Sequence, residues 1–397
     1  MNKKLLVITI FSVSLFILLG LGSFGIGYKY GPILKCYIKA TFNMKYPCHY
    51  ALFSTSTANS FKYKVSPVEL DLNYKGLTAA VFHDSEKSEL TVYKQDNKIF
   101  SNAKTPPPKL PNFISNENFS TVLKQVFYHK GVLIGLIGRK ENKCLFAALI
   151  NLETGKELFK APCVPDTNVL LQDFAAIGGG NVPMDDGFLL TIGTPEYTSQ
   201  ATRDLAQDPN SPYGKIHSFK FSKDKSKLIS EIYASGIRNP QGMRKINGKI
   251  YSIAHGPRGG DEINIVEKEK NYGWPLVSFG AQYGGKRYQV NSKKPFTDPV
   301  YAFIPSIAPS DIVSCPDNLK QYYHPYPCMV ISTLRDKSLY LILLNKPGNS
   351  VISIEKLYLG VRLREFFTPI GKVKDTKALY VTSDQAGLLK VEFLKFR

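Results

Sequence analysis

Six times along the chain, a turn opens a short and nearly continuous apolar strand. The segments are 76–82, 131–137, 187–193, 248–254, 328–334 and 378–383. A second strand follows each, beginning at Leu90, Cys144, Lys215, Glu262, Ser338 and Leu388. Six paired units give about 58 residues per unit, the size of a four-stranded propeller blade with generous loops. The near-continuous apolar strands fit the inner strands of blades, buried between neighbours. The expectation is an all-β, six-bladed β-propeller. A pair of packed sheets is the alternative, but six similar units favour a closed ring, which also removes exposed sheet edges. With 24 Phe, 23 Tyr, 30 Gly and 25 Pro, the chain is rich in strand formers and turn formers, and long amphipathic helices are absent beyond residue 50.

Ahead of the repeat, Lys3 and Lys4 precede a stretch from 5 to 28 without a charged residue. That is long enough for one membrane-crossing helix, which takes ~20 residues. Lysines on its N-terminal side keep that end in the cytoplasm and place the rest outside. A cleaved signal peptide is the rival reading, although Gly20-Leu21-Gly22 makes a poor cleavage site. The expected organisation is an anchor over 1–28, a linker over 29–60 and the propeller over 61–397. The product is a single-pass protein facing the periplasm or the cell exterior.

Six cysteines form three near-neighbour pairs: Cys36 with Cys48, Cys144 with Cys163, and Cys315 with Cys328. A hairpin centred between Glu153 and Thr154 sets Cys144 opposite Cys163, within disulfide range. Three bridges agree with an oxidising compartment. No pair has the C-x-x-C spacing of a zinc or thioredoxin-like site. The charge of +19 is scattered, and an exported domain without a binding motif makes nucleic acid a poor partner; an anionic membrane surface or cell-wall polymer could attract it, but a solvated surface is the favoured reading.

The densest special residues lie between 235 and 275. Arg238-Asn239-Pro240-Gln241-Gly242 comes first. His255-Gly256-Pro257-Arg258-Gly259-Gly260-Asp261-Glu262-Ile263-Asn264 follows, and then Asn271-Tyr272-Gly273-Trp274-Pro275 with the only tryptophan. Glycines let a backbone approach a ligand closely, and exposed carbonyls can bind a hard cation.

These three motifs resemble the glucose/sorbosone dehydrogenases, quinoprotein aldose dehydrogenases on a six-bladed propeller that use pyrroloquinoline quinone (PQQ) and calcium. The likeness continues weakly through 305–310 and 332–335 and returns at 361–365 and 380–384. It implies a PQQ- and calcium-dependent sugar dehydrogenase, with a sugar as substrate and an electron acceptor that the sequence does not name. Arg238, Asn239, Gln241 and His255 match positions that contact the quinone. Arg362 and Arg364 match the arginines that pair with its carboxylates, and Arg335 stands where the family has lysine, with a different geometry. Gly256 and Pro257 match the pair whose carbonyls hold the active-site calcium. Glu262 and Tyr272 match ligands of a second, structural calcium. Arg238 is also suited to stabilise a developing oxyanion.

The resemblance breaks at the general base. The family histidine falls on Ala176, and the arginine after it on Gly180. Losing such a base typically costs ~10²–10⁴ in rate. Asp173 is the nearest titratable surrogate. Two readings remain: a dehydrogenase with an altered base, or a non-catalytic propeller that kept a cofactor or carbohydrate pocket.

Overall fold

The structure is a computed structural model that describes residues 55–57, 61–68, 76–84, 86–115, 121–165, 177–195, 199–282, 288, 295–369 and 377–396. The expected anchor over 1–28, most of the linker, Cys36, Cys48, Asp173 and Ala176 lie outside the described residues. No helix among the described residues is long and apolar enough to cross a membrane.

Two strands, β1 (Thr55–Thr57) and β2 (Phe61–Pro67), precede six sheets. The first sheet holds β3 (Thr78–Asp84), β4 (Glu89–Lys94) and β5 (Ile99–Ser101). The second holds β6 (Thr121–His129), β7 (Val132–Glu141), β8 (Cys144–Asn151) and β9 (Glu157–Lys160). The third holds β10 (Gly178–Met184), β11 (Gly187–Ile192), β12 (Lys215–Phe221) and β13 (Leu228–Ser235). The fourth holds β14 (Asn239–Ile246), β15 (Lys249–His255), β16 (Asp261–Ile265) and β17 (Tyr301–Phe303). The fifth holds β18 (Pro309–Ser314), β19 (Cys328–Thr333), β20 (Ser338–Leu344) and β21 (Val351–Tyr358). The last holds β22 (Leu363–Phe367), β23 (Ala378–Ser383) and β24 (Gly387–Phe396), and β2 and β1 pair onto its outer side.

Strands β3, β6, β10, β14, β18 and β22 pack one against the next and return to β3, which closes the ring. The N-terminal β2 pairs with the C-terminal β24, so the last blade is built from both ends of the described chain. One apolar cluster fills each of the six interfaces between blades. The propeller expectation therefore holds.

The reading of the inner strands needs correction. Only the first of the six apolar segments, in β3, is innermost; the other five are β7, β11, β15, β19 and β23, second from the axis. A second strand is covered on both faces. In β11 every residue is buried, with Phe188, Leu190 and Ile192 on one interface and Leu189 on the other. An innermost strand faces the axial channel and carries polar groups, which hides it from an apolar pattern.

Two disulfides are present among the described residues. Cys144 bridges Cys163 with Cα atoms 5.1 Å apart, and Cys315 bridges Cys328 at 5.4 Å. The expected register is kept at Ile150 with Glu157, but a bulge then shifts it by one, to Leu149 with Phe159. The bridge forms beyond the end of β9, where Ala161 N and Val164 N still donate to the Ala147 and Leu145 carbonyls of β8.

Candidate functional site

All six innermost strands bulge close to their starting ends. The unmatched residues are Ala79 in β3, Lys124 in β6 and one of the pair Gly179 and Gly180 in β10. They continue with Gln241 in β14, Ser310 in β18 and one of the pair Arg364 and Glu365 in β22. A bulge turns an extra side chain out of the ladder and sharpens the local twist. Six of them at one level make a collar around the channel mouth. Cross-blade contacts hold that level: Ser310 Oγ donates to the Leu363 carbonyl at 2.7 Å, and Ser332 Oγ to the Arg364 carbonyl at 2.6 Å. Gly180 is the position on which the family arginine is expected to fall. A Cβ there would lie 2.9 Å from the backbone of Gly242 and Met243, so β10 and β14 approach too closely for a side chain.

Most of the sequence-predicted residues gather at this same end. Arg238 is buried and donates from Nη1 to the Gly256 carbonyl at 3.0 Å and the His255 carbonyl at 3.3 Å. Its guanidinium lies 5.3 Å from the Trp274 ring centre. His255 Nε2 donates to the Pro309 carbonyl at 2.7 Å, which leaves Nδ1 to accept from Asn239 Nδ2 at 3.3 Å. Asn239 Oδ1 in turn accepts from Gln241 Nε2. These bonds fix both amides and the imidazole tautomer, and they tie the fourth blade to the fifth.

The loop after His255 is folded tightly. A Cβ on Gly256 would collide with the Gly259 carbonyl at 2.1 Å, so only glycine fits. Asp261, fully buried, accepts from Gly256 N at 3.0 Å on Oδ1. Its Oδ2 accepts from Ser306 Oγ at 2.7 Å and from Ile307 N and Ala308 N at 2.8 Å. Asp261, a member of the 255–264 motif to which sequence assigns no role, is the residue that joins two rim loops.

The Gly256 carbonyl, expected to face calcium, already accepts from a guanidinium; it is a carbonyl oriented toward positive charge. Pro257 is buried beside it. The two residues matched to a second calcium each have partners within the protein. Tyr272 Oη donates to the Ile265 carbonyl at 2.5 Å and accepts from Glu267 N at 3.1 Å. Glu262 Oε2 accepts from Asn264 Nδ2 at 3.0 Å. Burial pushes the Glu262 carboxyl up to about 7 and the Tyr272 phenol up to about 12. Among the described residues, no group of three or more His, Cys, Asp or Glu is arranged to hold a metal.

Arg362 and Arg364 share one carboxylate. Arg362 Nε reaches Asp384 Oδ2 at 3.1 Å, and Arg364 reaches Oδ1 from Nε at 2.7 Å and Oδ2 from Nη2 at 2.9 Å. Arg335, in the loop between β19 and β20, is exposed. Four guanidinium groups thus stand at one end of the ring, with Asp384 as the carboxylate paired to two of them. A polycarboxylate guest suits such a set.

Below the collar the channel opens into a cavity of about 560 Å³. Gln125, Gly179, Gln241, Arg244, Asp311 and Glu365 are among its lining residues. Arg244 Nη2 pairs with Asp311 Oδ2 at 3.3 Å. Sequence reasoning missed Lys124, Arg244, Asp311 and the role of Glu365: no motif marks β6, Arg244 and Asp311 lie just past the motif stretches, and Glu365 closes one of them without a role.

A family model described as Glucose / Sorbosone dehydrogenase matches residues 171–390, more than half of the chain. The chain belongs to the glucose/sorbosone dehydrogenase family. An uncharacterised Synechocystis protein, slr1608, is 33% identical over 164 residues, which are 38% of this chain and 36% of that protein. The aldose sugar dehydrogenase YliI of Escherichia coli is 55% identical over 58 residues, 14% of this chain and 16% of that protein. The matched stretches thus span little more than a third of the curated relatives' lengths at most. In fold, this family member is similar to the apo crystal structure of the soluble aldose sugar dehydrogenase of Escherichia coli. The TM-score is 0.60 at 22% identity, covering 83% of this chain and 99% of that one.

Proposed function

We propose that this glucose/sorbosone dehydrogenase family member is a quinoprotein oxidoreductase that oxidises an aldose. The observation that carries the reading is the gathering of Arg238, Arg335, Arg362 and Arg364 at one end of the ring, above an open channel. A tricarboxylate cofactor such as PQQ needs several cations in a partly desolvated site. Arg362 and Arg364 are the residues to hold its carboxylates, with Asp384 keeping both guanidiniums extended until it binds. Asn239 and Gln241 are set to meet its ring, locked through His255. The Gly256 carbonyl, with that of Pro257, is the candidate calcium site; there Arg238 would yield one of its bonds. When bound, PQQ supplies the two-electron oxidant of the reaction, and calcium polarises its carbonyl.

The segment 5–28 supports a membrane-anchored protein with its propeller outside the cytoplasm, and the two described disulfides agree with that compartment. Loss of the family histidine at Ala176 favours a second reading, a propeller that binds without turnover. One assay separates them. The full chain is supplied with PQQ and calcium, then with aldoses and an artificial electron acceptor. Acceptor reduction supports the dehydrogenase; bound cofactor without reduction supports the binding protein; absence of binding removes both.

A further inference from the structure

The family histidine has no counterpart among the described residues of this chain, yet the collar holds two ionisable groups without a bonded partner. Lys124 is the unmatched residue of the β6 bulge and is 5% exposed. Glu365 sits in the β22 bulge and lines the cavity. Neither side chain makes a hydrogen bond or an ion pair within 4.0 Å among the described residues. Lys215 shows what a structural buried lysine looks like in the same molecule. Its ammonium donates to the carbonyls of Leu205, Ala206 and Tyr213 at 2.7–3.0 Å. Lys124 has no such cage.

In the ring, β3 stands between β6 and β22. Lys124 and Glu365 nevertheless count among each other's charged neighbours, and only Glu365 of the two lines the cavity. The intervening strand offers only Ala79 and Ala80 at that level, and the collar of β10 offers glycines. The remaining charged neighbours are Arg364 for Lys124, and Arg364, Arg244 and Asp311 for Glu365.

We infer that Glu365 and Lys124 form the proton-accepting pair of the sugar oxidation, taking the place of the family histidine. The inference rests on the dehydrogenase reading above. In the step, the substrate O–H bond breaks and its proton passes to the Glu365 carboxylate, which the nearby Lys124 ammonium keeps ionised until then. The C–H bond breaks with its electron pair, which reduces a two-electron acceptor of the quinone class, and the carbon–oxygen bond becomes a carbonyl. The proton then leaves through the channel. Burial, with Asp311 beside it, pushes the Glu365 carboxyl up to about 8. Burial, with Arg364 beside it, pulls the Lys124 ammonium down to about 8. Both groups are thus poised near the working pH, as proton transfer requires.

The test compares wild type, Glu365→Gln, Glu365→Asp and Lys124→Met as full chains loaded with PQQ and calcium. PQQ affinity is read by absorbance titration, folding by the unfolding midpoint, and acceptor reduction with an aldose from pH 5 to 10. We expect wild-type kcat/KM to pass through a maximum near pH 8, rising with an inflection as Glu365 ionises and falling as Lys124 deprotonates. Glu365→Gln is expected to keep PQQ affinity within about threefold, lose about 10²–10⁴ in kcat and lose the inflection. Glu365→Asp is expected to recover part of the rate, and Lys124→Met to move the inflection. Active wild type with unchanged pH profiles in folded, PQQ-binding Glu365→Gln and Lys124→Met would overturn the pair and leave the dehydrogenase reading intact. Wild type that binds PQQ without oxidising any aldose would overturn the dehydrogenase reading and the pair with it.

Discussion

Arg364 grips Asp384 with two parallel hydrogen bonds, Nε to Oδ1 at 2.7 Å and Nη2 to Oδ2 at 2.9 Å. Arg362 adds a third contact to the same carboxylate at 3.1 Å. Two guanidiniums two residues apart at the start of β22 would otherwise repel each other. Asp384→Asn removes the charge that reconciles them. We expect a stability loss of about 1.5–3 kcal/mol, the range for hydrogen bonds to charged groups, and a larger loss at low salt because screening is weaker. Denaturant midpoints at two ionic strengths measure it. A loss that ignores salt would argue against charge repulsion.

His255 joins two blades through Pro309 and Asn239. His255→Ala leaves the Pro309 carbonyl and the Asn239 amide without that partner. Each unsatisfied buried group costs about 1–3 kcal/mol, so the unfolding midpoint should fall clearly. Gln241, bonded to Asn239, should also become mobile, visible as altered side-chain amide resonances.

Much of this architecture was legible in the sequence, and the gaps have physical causes. The repeat was visible through segments such as Gly187 to Ile192, since burial on both faces demands an unbroken apolar run. The inner strands were not, because a strand such as Leu363–Phe367 alternates between packing and lining a channel. The rim motifs pointed to Arg238 and Gly256 because glycine and arginine are placed by backbone geometry and charge. Lys124 and Glu365 escaped notice because only ring closure brings β6 and β22 to one mouth, across more than 200 residues of chain.

The bridge between Cys144 and Cys163 closes a sequence separation of 19 residues. A loop of that size corresponds to about 3 kcal/mol of unfolded-state restriction. Cys144→Ser together with Cys163→Ser should lower stability by about 2–4 kcal/mol, measured by denaturation under non-reducing conditions. No change would mean that the reduced chain relaxes without cost.

His217 is buried, donates from Nε2 to the Pro212 carbonyl at 2.8 Å and accepts from Ser230 Oγ at 2.8 Å. Burial pulls its imidazole from 6.5 down to about 4. Between those values the unfolded chain binds a proton that the folded chain does not. Stability from this residue is therefore complete above pH 6.5 and lost as pH falls toward 4. The span corresponds to at most about 3 kcal/mol. His217→Gln should flatten that part of the stability curve; an unchanged slope would place the acid sensitivity elsewhere.

The arginine rim is tested most directly by equilibrium titration of the full chain with PQQ in the presence of calcium, comparing wild type with the double variant Arg362→Ala, Arg364→Ala. Wild type should bind one equivalent. The double variant should bind at least about 100-fold more weakly, since two charge-assisted contacts are removed. Equal affinity in the two proteins would show that the anion is held elsewhere, and no binding by folded wild type would contradict the cofactor reading itself.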